Sequence, residues 1–452
     1  MTTRRSFIRQ SLLAAGAVTL STTAFGKFFI GNKPKVIIIG AGFAGLAAAY
    51  TLKERGIDFL ILESRGRING RVFSHKMTDK LTIELGAEWV GDSHKTVQKF
   101  CDEFKLELFN NQFDTRLIYQ GKYYDKGQWD YSADWNRKYE RLLKDYAYFS
   151  EADKRTLDQY DWWRYLVNNG CDGRDLDIKE LLDSTDFGES CRHVSAYGAL
   201  DEYATSSPKN EMDQKIKGGN AMLGKALADD IGRDKILLKH TVERIVQDKG
   251  KLVTVYCDNG KTFIADKIIC TAPTFALQKI RWEPGLSSAH LMAINELQYA
   301  RINKNPLLFS DRFWKDESFD LVTDTSTHYF YHATKSQKDK QGVLISYTIG
   351  DKAAVAGTQD ASYRTAMMQQ TLSPYFGDVR KKLVSQDNYY WGDDKYSRGA
   401  YAIFKPGQWF RVQAALRMPH YDTLFAGEHL AESWQGFMEG ALLTGIEAAG
   451  MV

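Results

Sequence analysis

Between Lys35 and Glu63 the chain sets down a strand, a glycine-rich turn, an alanine-rich helix and a second strand, an order that few folds accommodate. Lys35-Val36-Ile37-Ile38-Ile39 is a largely β-branched run, the pattern of a parallel strand buried on both faces. Gly40-Ala41-Gly42-Phe43-Ala44-Gly45 follows at once. Gly40 lets the chain turn tightly, Gly42 lets backbone approach a pyrophosphate, and Gly45 lets the next helix pack close to the strand. The helix start, with Phe43 and Ala44 in its first turn, offers unpaired N–H groups to an anion. The helix runs through Ala47, Ala48 and Leu52 to Gly56, and the strand Asp58-Phe59-Leu60-Ile61-Leu62 ends at Glu63. A carboxylate about 20 residues past the first glycine is placed to accept hydrogen bonds from a ribose diol. Glycines alone are weak evidence, but with both strands, the helix and the terminal acid they predict a dinucleotide-binding, Rossmann-like α/β unit.

Composition narrows the rest by exclusion. The 452 residues are 43% hydrophobic and 26% charged, which excludes a disordered tail, a collagen and a polytopic membrane protein. At about 150 residues per domain this length allows three domains or two large interleaved ones. Lys and Arg number 60 against 57 Asp and Glu, leaving no basic field for nucleic acid and no polybasic block for an anionic membrane. Cys101, Cys171, Cys191, Cys257 and Cys270 are odd in number and lack C-x-x-C spacing, so they read as small apolar packing residues. A homodimer stays open. No metal-ligand set or Ser/His/Asp arrangement stands out, and His75 and His94 read as structural.

The N-terminus reads as an address. Arg4-Arg5-Ser6-Phe7-Ile8-Arg9, a weakly apolar stretch from Leu12 to Leu20, and small residues around Ala24-Phe25-Gly26 resemble a twin-arginine export signal over residues 1–26. The resemblance implies a bacterial protein that meets the twin-arginine export machinery already folded and works in the periplasm or outside the cell. Val36 to Leu52 is apolar but broken by Gly40, Gly42 and Gly45, and no run reaches about 18 apolar residues, so no membrane anchor is expected after processing.

Three further segments carry a family resemblance. Ser64-Arg65-Gly66-Arg67-Ile68-Asn69-Gly70-Arg71-Val72 resembles the R-x-G-G-R segment of FAD enzymes, with Asn69 at a glycine position where left-handed backbone is tolerated. Ile83-Glu84-Leu85-Gly86-Ala87-Glu88-Trp89-Val90-Gly91 follows it, and the C-terminal stretch holds Leu424-Phe425-Ala426-Gly427-Glu428 and Trp434-Gln435-Gly436-Phe437-Met438-Glu439-Gly440-Ala441. Together they resemble the flavin-dependent amine oxidases, from Lys33 to Val452. The resemblance implies a Rossmann-like FAD-binding domain of glutathione reductase type at 33–115, 215–285 and 390–452. An interleaved α+β substrate domain would take 116–214 and 286–389. Tyr-, Trp-, Lys- and Asp-rich residues 123–168 suit amphipathic helices laid over a pocket, and strands are expected at 236–239, 242–247, 252–257 and 262–269.

For the cofactor, the resemblance implies FAD contacts from Gly40, Gly42, Phe43, Ala44, Gly45, Glu63, Ser64, Arg65, Gly70, Arg71, Gly86, Ala87, Glu88, Trp89, Val242, Trp391, Gly427, Glu428, Gly436, Phe437 and Met438. Ala400 stands where some relatives carry a flavin-bonding cysteine, so FAD is expected to be noncovalent. For the chemistry, Tyr401 and Phe437 align with two aromatic walls of an amine slot. Lys304, ten residues before Trp314, matches a lysine that holds water against the flavin. The implied reaction is oxidation of an amine to an imine by FAD, with oxygen as acceptor and hydrogen peroxide released. An L-amino acid oxidase is the alternative, with Trp89 standing where those relatives place an arginine. A dehydrogenase or desaturase using another acceptor, and a flavin-binding module without turnover, are also left open. Glu88 reads either as a structural acid or as a partner for a second substrate amino group.

Overall fold

The computed structural model describes residues 34–248 and 250–452, and the expected export signal at residues 1–26 lies outside them. Strand β1 (Val36–Ile39) is buried at all positions, as its apolar run requires. It pairs in parallel with Phe59–Leu62 of β2 (Phe59–Glu63) on one side and with Lys267–Cys270 on the other. Thr423–Phe425 and Ile236–Leu238 form the edges of this five-stranded parallel sheet. Helix α1 (Phe43–Glu54) crosses between β1 and β2 and buries Ala47, Ala48, Ala49 and Leu52. The small side chains serve close approach. A Cβ on Gly45 would stand 1.9 Å from the Gly40 carbonyl oxygen, and one on Gly445, in the last helix Met438–Gly450, 2.1 Å from that of Ala44.

A second sheet runs Thr262–Ala265, Val253–Cys257, Val242–Val246 and Arg281–Glu283. The single strand expected over 262–269 is therefore two strands in different sheets. The chain turns the corner at Asp266, where the amides of Asp266 and Lys267 both donate to the Lys35 carbonyl. The apolar residues on either side suit a strand equally well, so the sequence gives no sign of the corner.

The third and largest sheet has eight strands. Its path is Leu383–Gln386, Ile302–Phe309, Gly342–Ile349, Tyr329–His332, Phe319–Thr323, Asp114–Tyr119 and Lys122–Tyr124, with Tyr389–Tyr390 also on Ile302–Phe309. Pro306 sits inside a buried strand and keeps its place by accepting a hydrogen bond from the Asp387 amide at 3.1 Å. The architecture is thus a mixed α/β fold with a Rossmann-like dinucleotide unit and an interleaved α+β region. Helices Ala133–Asp145, Glu151–Leu157 and Trp162–Asn168 bury Trp135, Leu157, Trp162 and Leu166 in the core shared with helix Ala196–Thr205. The five cysteines are all buried and free. Among the described residues no helix is long and apolar enough to cross a membrane.

The contact at Gly445 yields a test of this packing. Gly445→Ala should force the last helix off α1 and lower stability by about 1–3 kcal/mol, read as a lower urea midpoint with an unchanged slope. An unchanged midpoint would mean that the two helices separate at no cost.

Candidate active site

A cleft of about 430 Å³ opens at the carboxyl ends of β1 and β2 and runs beneath the large sheet. Its first wall is the glycine turn: Gly40, Gly42, Phe43 and Ala44 line it, whereas Gly45 lies behind, packed on Gly40. A Cβ on Gly42 would meet open space, so the backbone there is bare toward the cleft. Neither α1 nor the helix Met438–Gly450 has a side-chain N-cap, and Phe43, Ala44 and Met438 all line the cleft. Two helix N-termini therefore bring uncapped N–H groups and positive dipole ends to one cavity, which fits an anionic dinucleotide.

The next wall is the segment after β2. Glu63 is buried, its Oε2 accepting the Ala41 amide at 2.7 Å and its Oε1 the Arg65 amide at 2.7 Å. Burial pushes its carboxyl above the usual range, against the pull of those two amides. Asn69 takes a φ of +76° and Gly70 one of +53°, so asparagine fills its glycine position as expected. Ser64, Arg65, Gly70, Arg71, Gly86, Ala87, Glu88 and Trp89 all face the cleft, as do Val242, Trp391, Gly427, Glu428 and Gly436. Trp391 is held by a 2.8 Å bond from its Nε1 to the Leu85 carbonyl. The lining fits FAD: a buried acid to accept from a ribose, two uncapped helix starts for negative charge, and backbone bare of side chains between them.

Of the three arginines after β2, Arg65 and Arg71 are paired with acids. Arg65 makes a two-pronged bond to Asp394 at 2.6 and 2.8 Å. Arg71 pairs with Glu428 and donates to the Ala400 carbonyl at 2.9 Å. Glu428 also accepts the Gly436 amide at 3.1 Å, which ties the C-terminal strand end to the loop before the last helix.

Tyr401, Phe437 and Lys304 also line the cleft, and Tyr347 links two of them: its ring lies 5.9 Å from Lys304 Nζ and its hydroxyl 3.5 Å from that of Tyr401. The Tyr401 hydroxyl donates to the Asp186 carbonyl at 2.7 Å, and its ring lies over Gly436, where a Cβ would come within 3.6 Å. Phe437 sits edge-on to His94, with ring centroids 5.0 Å apart. Burial pushes His94 down to about 3, so its ring is neutral and structural. Lys304 is buried, and its Nζ donates to Glu84 O at 3.1 Å, Gly86 O at 2.8 Å and Glu88 Oε2 at 3.0 Å. Burial lowers its affinity for a proton, and Glu88 restores only part of it.

The sequence assigned the pocket wall to the insertions, with 123–214 as a possible lining, but singled out none of its residues. Asp186, Phe187, Val194, Glu202, Tyr329 and Tyr347 line the cleft, whereas among the described residues from 123 to 168 none does. The apolar stripes of those helices are spent on the core around helix Ala196–Thr205. Burial pushes the Asp186 carboxyl up to about 7, with Asp183 adding to it. Nothing in the residues around Asp186 or Glu202 signals a pocket, because each sits on a helix facing elements distant in sequence.

Fold and site together define a dinucleotide-binding oxidoreductase whose cofactor cleft is roofed by an aromatic chamber. The family model of flavin containing amine oxidoreductases matches residues 43–452, and the chain belongs to that family: it is an FAD-dependent enzyme that acts on amines. It is similar to polyamine oxidase 2 of Arabidopsis thaliana, with 27% identity over 92% of this chain and 88% of that protein. It is also similar to an L-amino-acid oxidase of Demansia vestigiata, with 25% identity over 92% and 86%. Cyclohexylamine oxidase from Brevibacterium oxydans shares the fold, with a TM-score of 0.82, 22% identity and coverage of 93% of this chain and 98% of that one.

The Arg65–Asp394 pair makes a pH prediction. Burial would push Asp394 up, but Arg65, Tyr389 and Ser397 pull it well below the usual carboxylate range. A carboxylate depressed in the folded state adds stability above its unfolded value of about 4, and that stability fades as pH falls toward the folded value. Asp394→Asn should cost about 3–5 kcal/mol at neutral pH by leaving Arg65 without its partner. In urea denaturation the gap to wild type should shrink as the pH is lowered below about 4; a gap that is constant with pH would count against the pair.

Proposed function

We propose that the chain oxidises an amine to an imine, which hydrolyses to a carbonyl, with molecular oxygen taking two electrons and two protons and leaving as hydrogen peroxide. The observation that carries this reading is that Tyr401, Phe437 and Lys304 line one cleft, with Tyr347 lying between Lys304 and Tyr401. FAD, when bound, supplies the oxidant that accepts the hydrogen of the amine's α-carbon. Gly40 to Ala44, Glu63, Arg71, Val242, Glu428 and Met438 would hold it, noncovalently because Ala400 offers no thiol. The domain division follows the same reading: 33–115, 215–285 and 390–452 for FAD, 116–214 and 286–389 for substrate.

The chain's own residues then do three things. Tyr401 and Phe437 present ring faces that orient an amine and shed water from it. The backbone amides at the start of the last helix favour negative charge beside Met438. Lys304, desolvated and fixed by three acceptors, sets a cation where oxygen is reduced. Amines without a carboxylate are favoured over amino acids, because Arg65 and Arg71 on the cleft wall are each paired to an acid. Glu88 is tied to protein donors, which supports its structural reading over a contact with a second substrate amino group. Arg4-Arg5 and the stretch to Gly26 support folded export from a bacterial cytoplasm to the periplasm or beyond.

The test is the visible spectrum of the purified protein, recorded without oxygen before and after primary amines, secondary amines and polyamines, then after air. One class should bleach the flavin band and air should restore it with peroxide. Bleaching that air fails to restore would overturn oxygen as the acceptor, and bleaching by amino acids alone would overturn the amine. Tyr401→Ala with Phe437→Ala should keep FAD yet lower kcat/KM by on the order of tenfold, about 1.4 kcal/mol; unchanged kinetics would remove the two rings from the slot.

A further inference from the structure

One buried carboxylate in this molecule serves two ammonium groups. Glu88 Oε1 accepts Lys215 Nζ at 2.6 Å, while Oε2 accepts Lys304 Nζ at 3.0 Å and the Tyr331 hydroxyl at 2.7 Å. Glu88, Lys215 and Lys304 are each at least 96% buried, so bulk water screens none of them well. The four residues come from four places: the loop after Thr82–Glu84, and strands Gln214–Ile216, Ile302–Phe309 and Tyr329–His332. The loop is itself pinned, since Asn220 Nδ2 donates to the Glu88 carbonyl at 2.8 Å and to that of Ala87 at 3.1 Å. A carboxylate fixed at its backbone and oriented by a phenol is a preorganised counterion.

We infer that Glu88 is a positioning residue that holds Lys304 as an ammonium at the flavin end of the cleft, and that Lys215, on its other oxygen, limits how strongly it does so. The inference rests on the role given to Lys304 above. Two cations share one anion, so the cluster carries one excess positive charge when Glu88 is ionised, and Lys215 weakens the hold of Lys304 on its proton. Removing the carboxylate leaves Lys304 with two carbonyls and an unneutralised cation nearby, which favours its neutral form. Removing Lys215 leaves Glu88 wholly to Lys304, which favours the charged form. Glu84, Tyr331 and Tyr347 are the other titratable groups facing Lys304. Burial holds both phenols above their ordinary range, so they stay neutral, and pushes Glu84 up to about 7. Ionisation of Glu84 at higher pH supports the Lys304 ammonium; loss of Glu88 eases that ionisation and loss of Lys215 hinders it, so Glu84 blunts the expected shift in both variants.

The experiment uses the FAD-loaded protein, reduced by light without any amine, then mixed with oxygen across a pH series. The midpoint potential of the bound flavin is titrated in parallel. In wild type, reoxidation should slow as pH rises through the loss of the Lys304 proton. Glu88→Gln should move that fall to a pH lower by about 1–3 and make the flavin potential more negative above it. Lys215→Met should move the fall the opposite way, to higher pH, and this second variant keeps the test open if E88Q fails to fold. Shifts of opposite sign support the inference. Full FAD content with unmoved pH dependence and potential in both variants, or shifts of the same sign, would overturn it. Lys304→Met separates the two readings: if it slows reoxidation while E88Q and K215M change nothing, this inference alone fails, and if it changes nothing, the role of Lys304 fails and this inference with it.

Discussion

Backbone lying directly on backbone is the constraint from which the active cleft follows. With no side chain at Gly45 or Gly445, α1 is clamped between the turn at Gly40 and the last helix, each contact too close for a methyl group. The clamp fixes where both helices begin. Their uncapped N-termini open at the same end of the parallel sheet, beside the carboxyl ends of β1 and of Lys267–Cys270, where a crossover sheet leaves a crevice. Two positive dipole ends in one crevice make an anion site before any charged side chain contributes. The dinucleotide half of the protein is in this sense a consequence of missing Cβ atoms.

That half was legible because its requirements are local. A glycine needed for close approach, an asparagine that accepts a left-handed φ at 69 and an acid ending β2 are all stated within a few dozen residues. The corner at Asp266 was not legible, since it depends on which sheet each flanking strand joins. Nor was the chamber. Helices 133–168 carry apolar stripes that read as a pocket cover, yet those stripes pack on the helix Ala196–Thr205, and the chamber wall comes from Asp186, Glu202 and Tyr347. Periodicity reports that a face is buried without reporting against what. Glu88 is the sharpest case: an acid beside Trp89 is plain in the sequence, but its partners Lys215 and Lys304 lie 127 and 216 residues away.

Three cations on the cleft wall are closed onto protein acids. Arg65 has Asp394, Arg71 has Glu428, and Lys304 shares Glu88 with Lys215. Pairs of this kind contribute little net stability when buried, because desolvation of both partners offsets their attraction. What they do supply is fixed geometry, since a guanidinium gripped at two points cannot swing toward a ligand. Helix N-termini and backbone amides, which do not titrate, add positive potential to the same cleft without a charged side chain.

The same pairing bears on selectivity. A substrate carboxylate entering the chamber would have to be stripped of water and then find a cation, and Arg65, Arg71 or Lys304 would first have to abandon a buried acid. That exchange leaves an uncompensated carboxylate behind, at a cost of about 3–5 kcal/mol. An amine meets phenol rings instead, together with Asp186, whose carboxyl burial holds near 7 and which a positive ligand would draw toward its charged form. On the proposed reading, closure of those three cations onto protein acids disfavours a substrate carboxylate beside them, and that bias would weaken wherever one of the pairs were broken.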